Sequence, residues 1–140
     1  MQPEAVVWRL FDALNRHDAR GMAECFAPDY RSEQPAHPAR GFGGRDQVAA
    51  NWATYFREVP DLRGEVLASA TAGDTVWLEA RFRGRRRDGS AFDLRGVIVN
   101  GVRGERIAWA RLYLDEVERG GEGIGDAVER AATGAPRDRL

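Results

Sequence analysis

Apolar side chains recur at two different periods along this chain, and the change from one to the other falls at Pro60. Before it the period is helical. Val7, Leu10, Phe11 and Leu14 stand at i, i+3, i+4 and i+7, with Pro3 and Glu4 in the first turn. His17-Asp18 ends this helix and caps a short second one over residues 19–26. His17 itself reads as a surface residue near the negative end of the helix dipole. Pro28-Asp29 breaks the second helix, and residues 30–34 predict a short strand before Pro35. A loop with His37 and the turn Gly41-Phe42-Gly43-Gly44 leads to a third helix over residues 46–59. Val48, Trp52, Tyr55, Phe56 and Val59 share one of its sides.

Beyond Pro60 the period drops to two. Strands are predicted over about residues 64–71, 75–86, 90–101 and 106–117. Asp88-Gly89 marks a hairpin, and Arg103-Gly104-Glu105 a second turn. Helices grouped early and a meander late imply an α+β domain with three N-terminal helices on a curved, mainly antiparallel sheet. That domain is expected to fill residues 1–118. Residues 119–140 form a polar, Gly-rich tail with room for a short helix.

Composition narrows the chemistry. At 140 residues, 43% hydrophobic and 31% charged, the chain has the makeup of one ordinary globular domain. Basic and acidic residues nearly cancel, 21 against 22, which argues against partners held by bulk charge, nucleic acid and anionic membranes among them. Every basic residue is arginine, so Schiff-base chemistry and a phosphate-loop lysine are excluded. The run Arg83-Gly84-Arg85-Arg86-Arg87 reads as a solvated hairpin tip. Cys25 is the single cysteine, and no secretory signal is visible, so a cytoplasmic setting is expected. With His17, His37 and Cys25 as the nitrogen and sulfur donors, neither a metal site nor a cofactor is expected.

The element order and several short motifs resemble the nuclear transport factor 2-like superfamily, and within it the SnoaL-like proteins. Residues 6–15, Val-Val-Trp-Arg-Leu-Phe-Asp-Ala-Leu-Asn, are similar to the opening helix of ketosteroid isomerases. Phe26-Ala27-Pro28-Asp29-Tyr30 resembles the family's helix-to-strand junction. Glu105-Arg106-Ile107 through Arg111-Leu112-Tyr113-Leu114-Asp115 is similar to its last strand. The resemblance spans about residues 4–118. It implies a cone in which sheet and helices enclose a small-molecule pocket, on a fold that hosts both enzymes and binding proteins.

The family's acid–base groups do not carry over. The isomerase tyrosine matches Leu10, its carboxylate base Gln34, and its second oxyanion donor falls within residues 96–98, which hold no carboxylate. The cyclase base matches Leu112 and the cyclase histidine Ile98. An Arg/Asp pair of the epoxide hydrolases matches Ala80 and Phe82. A strand with Leu112 inward also turns Ala108, Ala110 and Leu114 inward, an apolar row; a slip of one residue would bring in Arg111, Tyr113 and Asp115 instead. Tyr30 and Ser32 match water-positioning residues of the hydrolases and form a polar row with Gln34.

The expected pocket lining is therefore Leu10, Leu14, Tyr30, Ser32, Gln34, Trp52, Phe56, Phe82, Ile98, Ala110 and Leu112. Two functions follow from it. One is binding of a small, largely apolar metabolite. The other is cofactor-independent isomerase, cyclase, dehydratase or hydrolase chemistry through Tyr30, Gln34 and His37. The opposite strand face gathers Trp77, Glu79, Arg81, Asp93, Arg95, Trp109, Arg111, Tyr113 and Asp115. Aromatics among arginines on one face are expected to make a homodimer interface.

Overall fold

The computed structural model describes residues 2–136. Helix α1 (Glu4–Asn15) buries Val6, Val7, Leu10, Phe11, Ala13 and Leu14, the face its spacing predicts. His17 leaves the helix at φ +58°. Its ring stacks on Phe56 with centroids 4.4 Å apart, and Nε2 lies 2.7 Å from the Leu62 carbonyl oxygen. His17 thus pins the end of α1 to the third helix and to the loop that follows it, rather than standing as a plain surface residue. Helix α2 (Ala19–Ala23) is capped by Asp18, whose Oδ1 accepts from the Gly21 amide at 2.9 Å. It stops three residues short of the expected end because Phe26 already belongs to a strand.

That strand, β1 (Phe26–Glu33), runs through Pro28-Asp29 rather than starting after them. Its register with the last strand jumps between Phe26 and Arg31. The irregularity takes up a proline that cannot donate to a ladder. A 3-10 turn (Pro38–Arg40) and the two-residue strand β2 (Phe42–Gly43) follow, and β2 pairs antiparallel with β1. Two residues, one of them glycine, give no period to read, so this strand was not visible as one. Helix α3 (Arg45–Glu58) packs Val48 fully and Trp52, Tyr55 and Phe56 partly against the core, with Val59 buried just past its end.

Four long strands complete the sheet: β3 (Arg63–Ala72), β4 (Thr75–Arg85), β5 (Ala91–Arg103) and β6 (Arg106–Glu116). The order is β2-β1-β6-β5-β4-β3, with β1 and β6 parallel and every other pair antiparallel. The curved sheet does not close, as the expected cone requires. Strand β5 runs two residues past the expected end, where a register shift between Gly101 and Val102 carries the pairing to Arg103. At the β4–β5 hairpin Gly89 takes φ +87° and the Ser90 amide donates to Asp88 Oδ1 at 2.9 Å.

Two contacts tie α1 to the edge strand β3. Asn15 Nδ2 donates to the Gly64 carbonyl at 3.0 Å, and the Gly64 amide donates to Asn15 Oδ1 at 2.9 Å. A Cβ at Gly64 would stand 2.9 Å from Leu14 Cδ2 and 3.1 Å from the Phe82 ring, so glycine is what lets helix and sheet approach.

On the outer face Asp93, nearly inaccessible, accepts from Arg81 at 2.9 and 2.7 Å and from Arg119 at 2.7 Å. The Arg81 guanidinium holds its carboxyl below the usual carboxylate range. Glu79 pairs with Arg95 at 3.3 Å. Asp115 does not join this lattice. It reaches His37 at 3.2 Å instead. Within the tail, α4 (Ile124–Thr133) buries no residue and leaves Ile124 and Val128 exposed. The tail's residues 137–140 lie outside the described residues, as does Met1. No helix among the described residues is long and apolar enough to cross a membrane.

Trp109 sits opposite Gly101 in the β5–β6 ladder, and its indole occupies the space a Cβ at Gly101 would fill. The Arg111 guanidinium covers the same ring, 4.6 Å from its centroid. Gly101→Ala should therefore push the indole off its seat and cost about 1–3 kcal/mol, as overpacking does. Urea denaturation measures it, and an unchanged midpoint would mean the ring has an alternative seat.

Candidate functional site

The concave face of the sheet, closed on one side by α1 and α3, encloses a cavity of about 830 Å³. Ten of the eleven expected lining residues border it. Leu10 and Leu14 come from α1, Tyr30 and Ser32 from β1 with Gln34 just beyond, Trp52 from α3, Phe82 from β4, Ile98 from β5, and Ala110 and Leu112 from β6. The eleventh, Phe56, does not; it stands beneath His17, one helical step from Trp52. Leu114 also borders the cavity but Ala108 does not, since the register shift opposite it buries Ile107 instead. Of the slipped set only Asp115 borders the cavity, at its mouth, so β6 turns Ala110, Leu112 and Leu114 inward.

Strand register explains how these side chains converge. Ser32 on β1 and Asn100 on β5 both pair with Ala110 on β6. Three adjacent strands thus present Ser32, Ala110 and Asn100 in one row across the concave face. Ile98 and Leu112 are likewise paired, one step toward the mouth. The walls are rich in aromatic rings. Phe26 meets Tyr30 edge-on at 4.5 Å, Trp52 packs 5.5 Å from Phe82, and Tyr55 lies 5.5 Å from Phe92.

Polarity is graded along the cavity. At its inner end Ser32 and Asn100 are almost fully buried, at 2% and 3% exposure, and Tyr30 at 3%. Burial pushes the Tyr30 hydroxyl up to about 12, with hydrogen bonding to Ser32 opposing it. Such a tyrosine keeps its proton at neutral pH and acts as a donor, not as an acid. Gln34 is half-buried, and its Oε1 accepts from Arg40 at 3.2 Å. Among the described residues the carboxylates bordering the cavity are Asp115, Glu116 and Glu118, all exposed at the mouth. Glu116 pairs with Arg86 at 3.2 Å. His37 does not line the cavity; its Nε2 lies 3.2 Å from Asp115 Oδ1 at the rim.

Sequence reasoning missed Asn100, Asn51, Tyr55, Arg40, Phe92 and Leu94 as lining residues. For Asn100 a signal existed, since it has the same parity as Ile98 on one strand. Arg40 could not be found this way because it lies on an irregular turn. The run from Arg83 to Arg87 is engaged by carboxylates: Arg83 with Glu65, Arg87 with Glu58, and the Arg85 amide with Asp61. No group of three or more His, Cys, Asp and Glu able to hold a metal ion occurs among the described residues.

The raised Tyr30 value fixes a pH dependence. The folded value exceeds the ordinary 10.0, so folding favours the neutral hydroxyl. Stability is fully present below about pH 10 and falls as the pH rises toward about 12. Spectrophotometric titration of tyrosinate should show a late step near pH 12 that Tyr30→Phe removes. A late step that survives the substitution would assign it to another tyrosine.

Several solved structures share this architecture. A proposed SnoaL-like polyketide cyclase of Jannaschia sp. CCS1 superposes with a TM-score of 0.69 at 23% identity, over 96% of this chain and 94% of that one. IdmH, a proposed polyketide cyclase of Streptomyces antibioticus, gives 0.71 at 22% identity over 82% and 93%. A protein of ketosteroid isomerase-like fold from Catenulispora acidiphila, crystallised with trimethylamine, gives 0.67 at 20% identity over 76% and 82%. At these identities the likeness is one of fold. No curated protein sequence matches the chain at a significant level. The model of the SnoaL-like domain matches residues 7–110, from the first buried turn of α1 to the alanine at the centre of the cavity's polar row, and the chain belongs to that family.

Proposed function

We propose that this protein binds a small, largely apolar molecule in the cone and orients it by hydrogen bonds. The observation that carries this reading is the cavity's gradation: a volume of about 830 Å³, aromatic and aliphatic walls, neutral polar groups inside and carboxylates confined to the mouth. Pockets of this size and lining suit small organic ligands. A protein of ketosteroid isomerase-like fold crystallised in complex with trimethylamine supports the reading. Residues 1–118 form the binding unit, and residues 119–140 are an appendage to it. Cys25, a buried free thiol, suits a reducing, cytoplasmic setting.

A second reading rests on the pair His37–Asp115 at the rim. It is an acid–base pair within reach of a ligand that protrudes from the mouth, and with Tyr30 and Gln34 it would give cyclase, isomerase, dehydratase or hydrolase chemistry. Its exposure to water is what places it second.

Native mass spectrometry of protein purified from its own host should show the chain with a retained molecule. Ala110→Phe, which fills the middle of the cavity, should abolish that retention while the thermal transition persists. Only bare chain from the unaltered protein would sink the binding reading. A retained molecule that re-emerges chemically changed after incubation would favour the enzymatic one.

We also propose a homodimer through the outer sheet face. Trp77, Val97 and Tyr113 lie there, 45%, 36% and 46% exposed, beside the Glu79–Arg95 pair. Trp109 is partly spent on Gly101, so Trp77 is the freer anchor. Sedimentation at micromolar concentration should show a dimer that Trp77→Ala weakens by about 2 kcal/mol or more. A monomer across that range would return the face to an ordinary exposed sheet.

A further inference from the structure

At the inner end of the cavity Asn100 has accepting capacity that is unspent. Asn100 is 97% buried by its 3% exposure, yet it borders the cavity. Its Nδ2 donates to the Val76 carbonyl at 3.4 Å, which fixes which side of the amide carries nitrogen. Oδ1 has no hydrogen-bond partner among the described residues. No buried side-chain oxygen or nitrogen sealed from solvent is left unpartnered among them either, so this oxygen opens onto the cavity. Across Ala110 stands Ser32, whose hydroxyl interacts with that of Tyr30. Two strand spacings separate Ser32 from Asn100, roughly 10 Å between their backbones. Alanine between them leaves room above the sheet.

A carboxamide oxygen accepts and cannot donate. A ligand carbonyl or ether turned toward it would leave two acceptors facing each other in an apolar enclosure. A charged group would be stripped of water there with no counter-ion, since the carboxylates and Arg40 border the cavity at its exposed end. A neutral O–H or N–H satisfies Oδ1. A ligand hydroxyl can in addition accept from Ser32.

From this we infer that Asn100 Oδ1 and the Ser32 hydroxyl, flanking Ala110, form a subsite for a neutral hydrogen-bond donor on the ligand's inner end. The ligand class is a largely apolar, ring-containing alcohol or phenol. This rests on the cavity-binding reading and adds to it the end by which the molecule is read.

Fluorescence titration with 1-hydroxypyrene, 1-methoxypyrene and pyrene tests it. The three share a ring system and differ in whether they donate, only accept, or do neither. The unaltered protein should bind 1-hydroxypyrene about tenfold more tightly than 1-methoxypyrene, the scale of one buried hydrogen bond gained and one acceptor left unpaired. Asn100→Leu, similar in size but without the oxygen, should erase that ratio by weakening 1-hydroxypyrene and sparing 1-methoxypyrene the unpaired acceptor. Ser32→Ala should reduce the ratio in part, and it serves if Asn100→Leu fails to fold. Equal binding of the hydroxy and methoxy probes, or a ratio that survives both substitutions, overturns the subsite and leaves the binding cavity standing. If none of the three probes binds, the cavity reading falls and the subsite with it.

Discussion

The cone depends on how closely the sheet can wrap around α1. Asn15 closes both hydrogen bonds to the Gly64 peptide, serving the edge strand as a neighbouring strand would. Glycine at 64 lets Leu14 and the Phe82 ring meet across it. A side chain at that position would lift β3 off the helix and flatten the sheet. The concavity that holds the cavity follows from this contact, because β4 pairs with that edge and passes its twist on to β5. His17 strengthens the same corner from the other side, through Phe56 and the Leu62 carbonyl.

How much of this the sequence disclosed follows from which physical signals are local. The buried face of α1 and the inward row of β6 are periodic, and periodicity reads directly: Leu10, Leu14, Ala110 and Leu112 all border the cavity as their spacing requires. Phe56 has the same helical signal as Trp52, yet a histidine distant in sequence claims it. Pro28 reads locally as a breaker, but a register shift in a pairing with β6 accommodates it. The rim was illegible for a related reason. Arg40, Asp115 and Glu118 border the same mouth from a turn, a strand end and the stretch just beyond that strand, and no spacing within any one of them encodes the meeting.

Chemically, the cavity inverts the arrangement that the family's acid–base enzymes use. By the resemblance, Leu10, Gln34, Ile98 and Leu112 match the positions of those enzymes' acid–base groups, and the buried polar groups of this cavity are a hydroxyl, a carboxamide and a tyrosine that holds its proton. Neutral groups at fixed positions would orient a guest through direction rather than through charge. The aromatic walls bound the cavity, and the charged residues meet water at the mouth, where hydration costs them nothing.

The parallel seam between β1 and β6 has a consequence for the order in which the molecule assembles. The β3–β4, β4–β5 and β5–β6 pairings join strands through short turns, so each closes a small loop. The seam instead brings residues near 26 and 107 together and must order nearly everything between them. Entropy of chain closure puts the local hairpins first and the seam late. Ser32 lies on one side of it, Ala110 and Asn100 on the other. A nascent chain therefore has a sheet before it has a pocket, and its polar inner end comes into being with the last pairing to form.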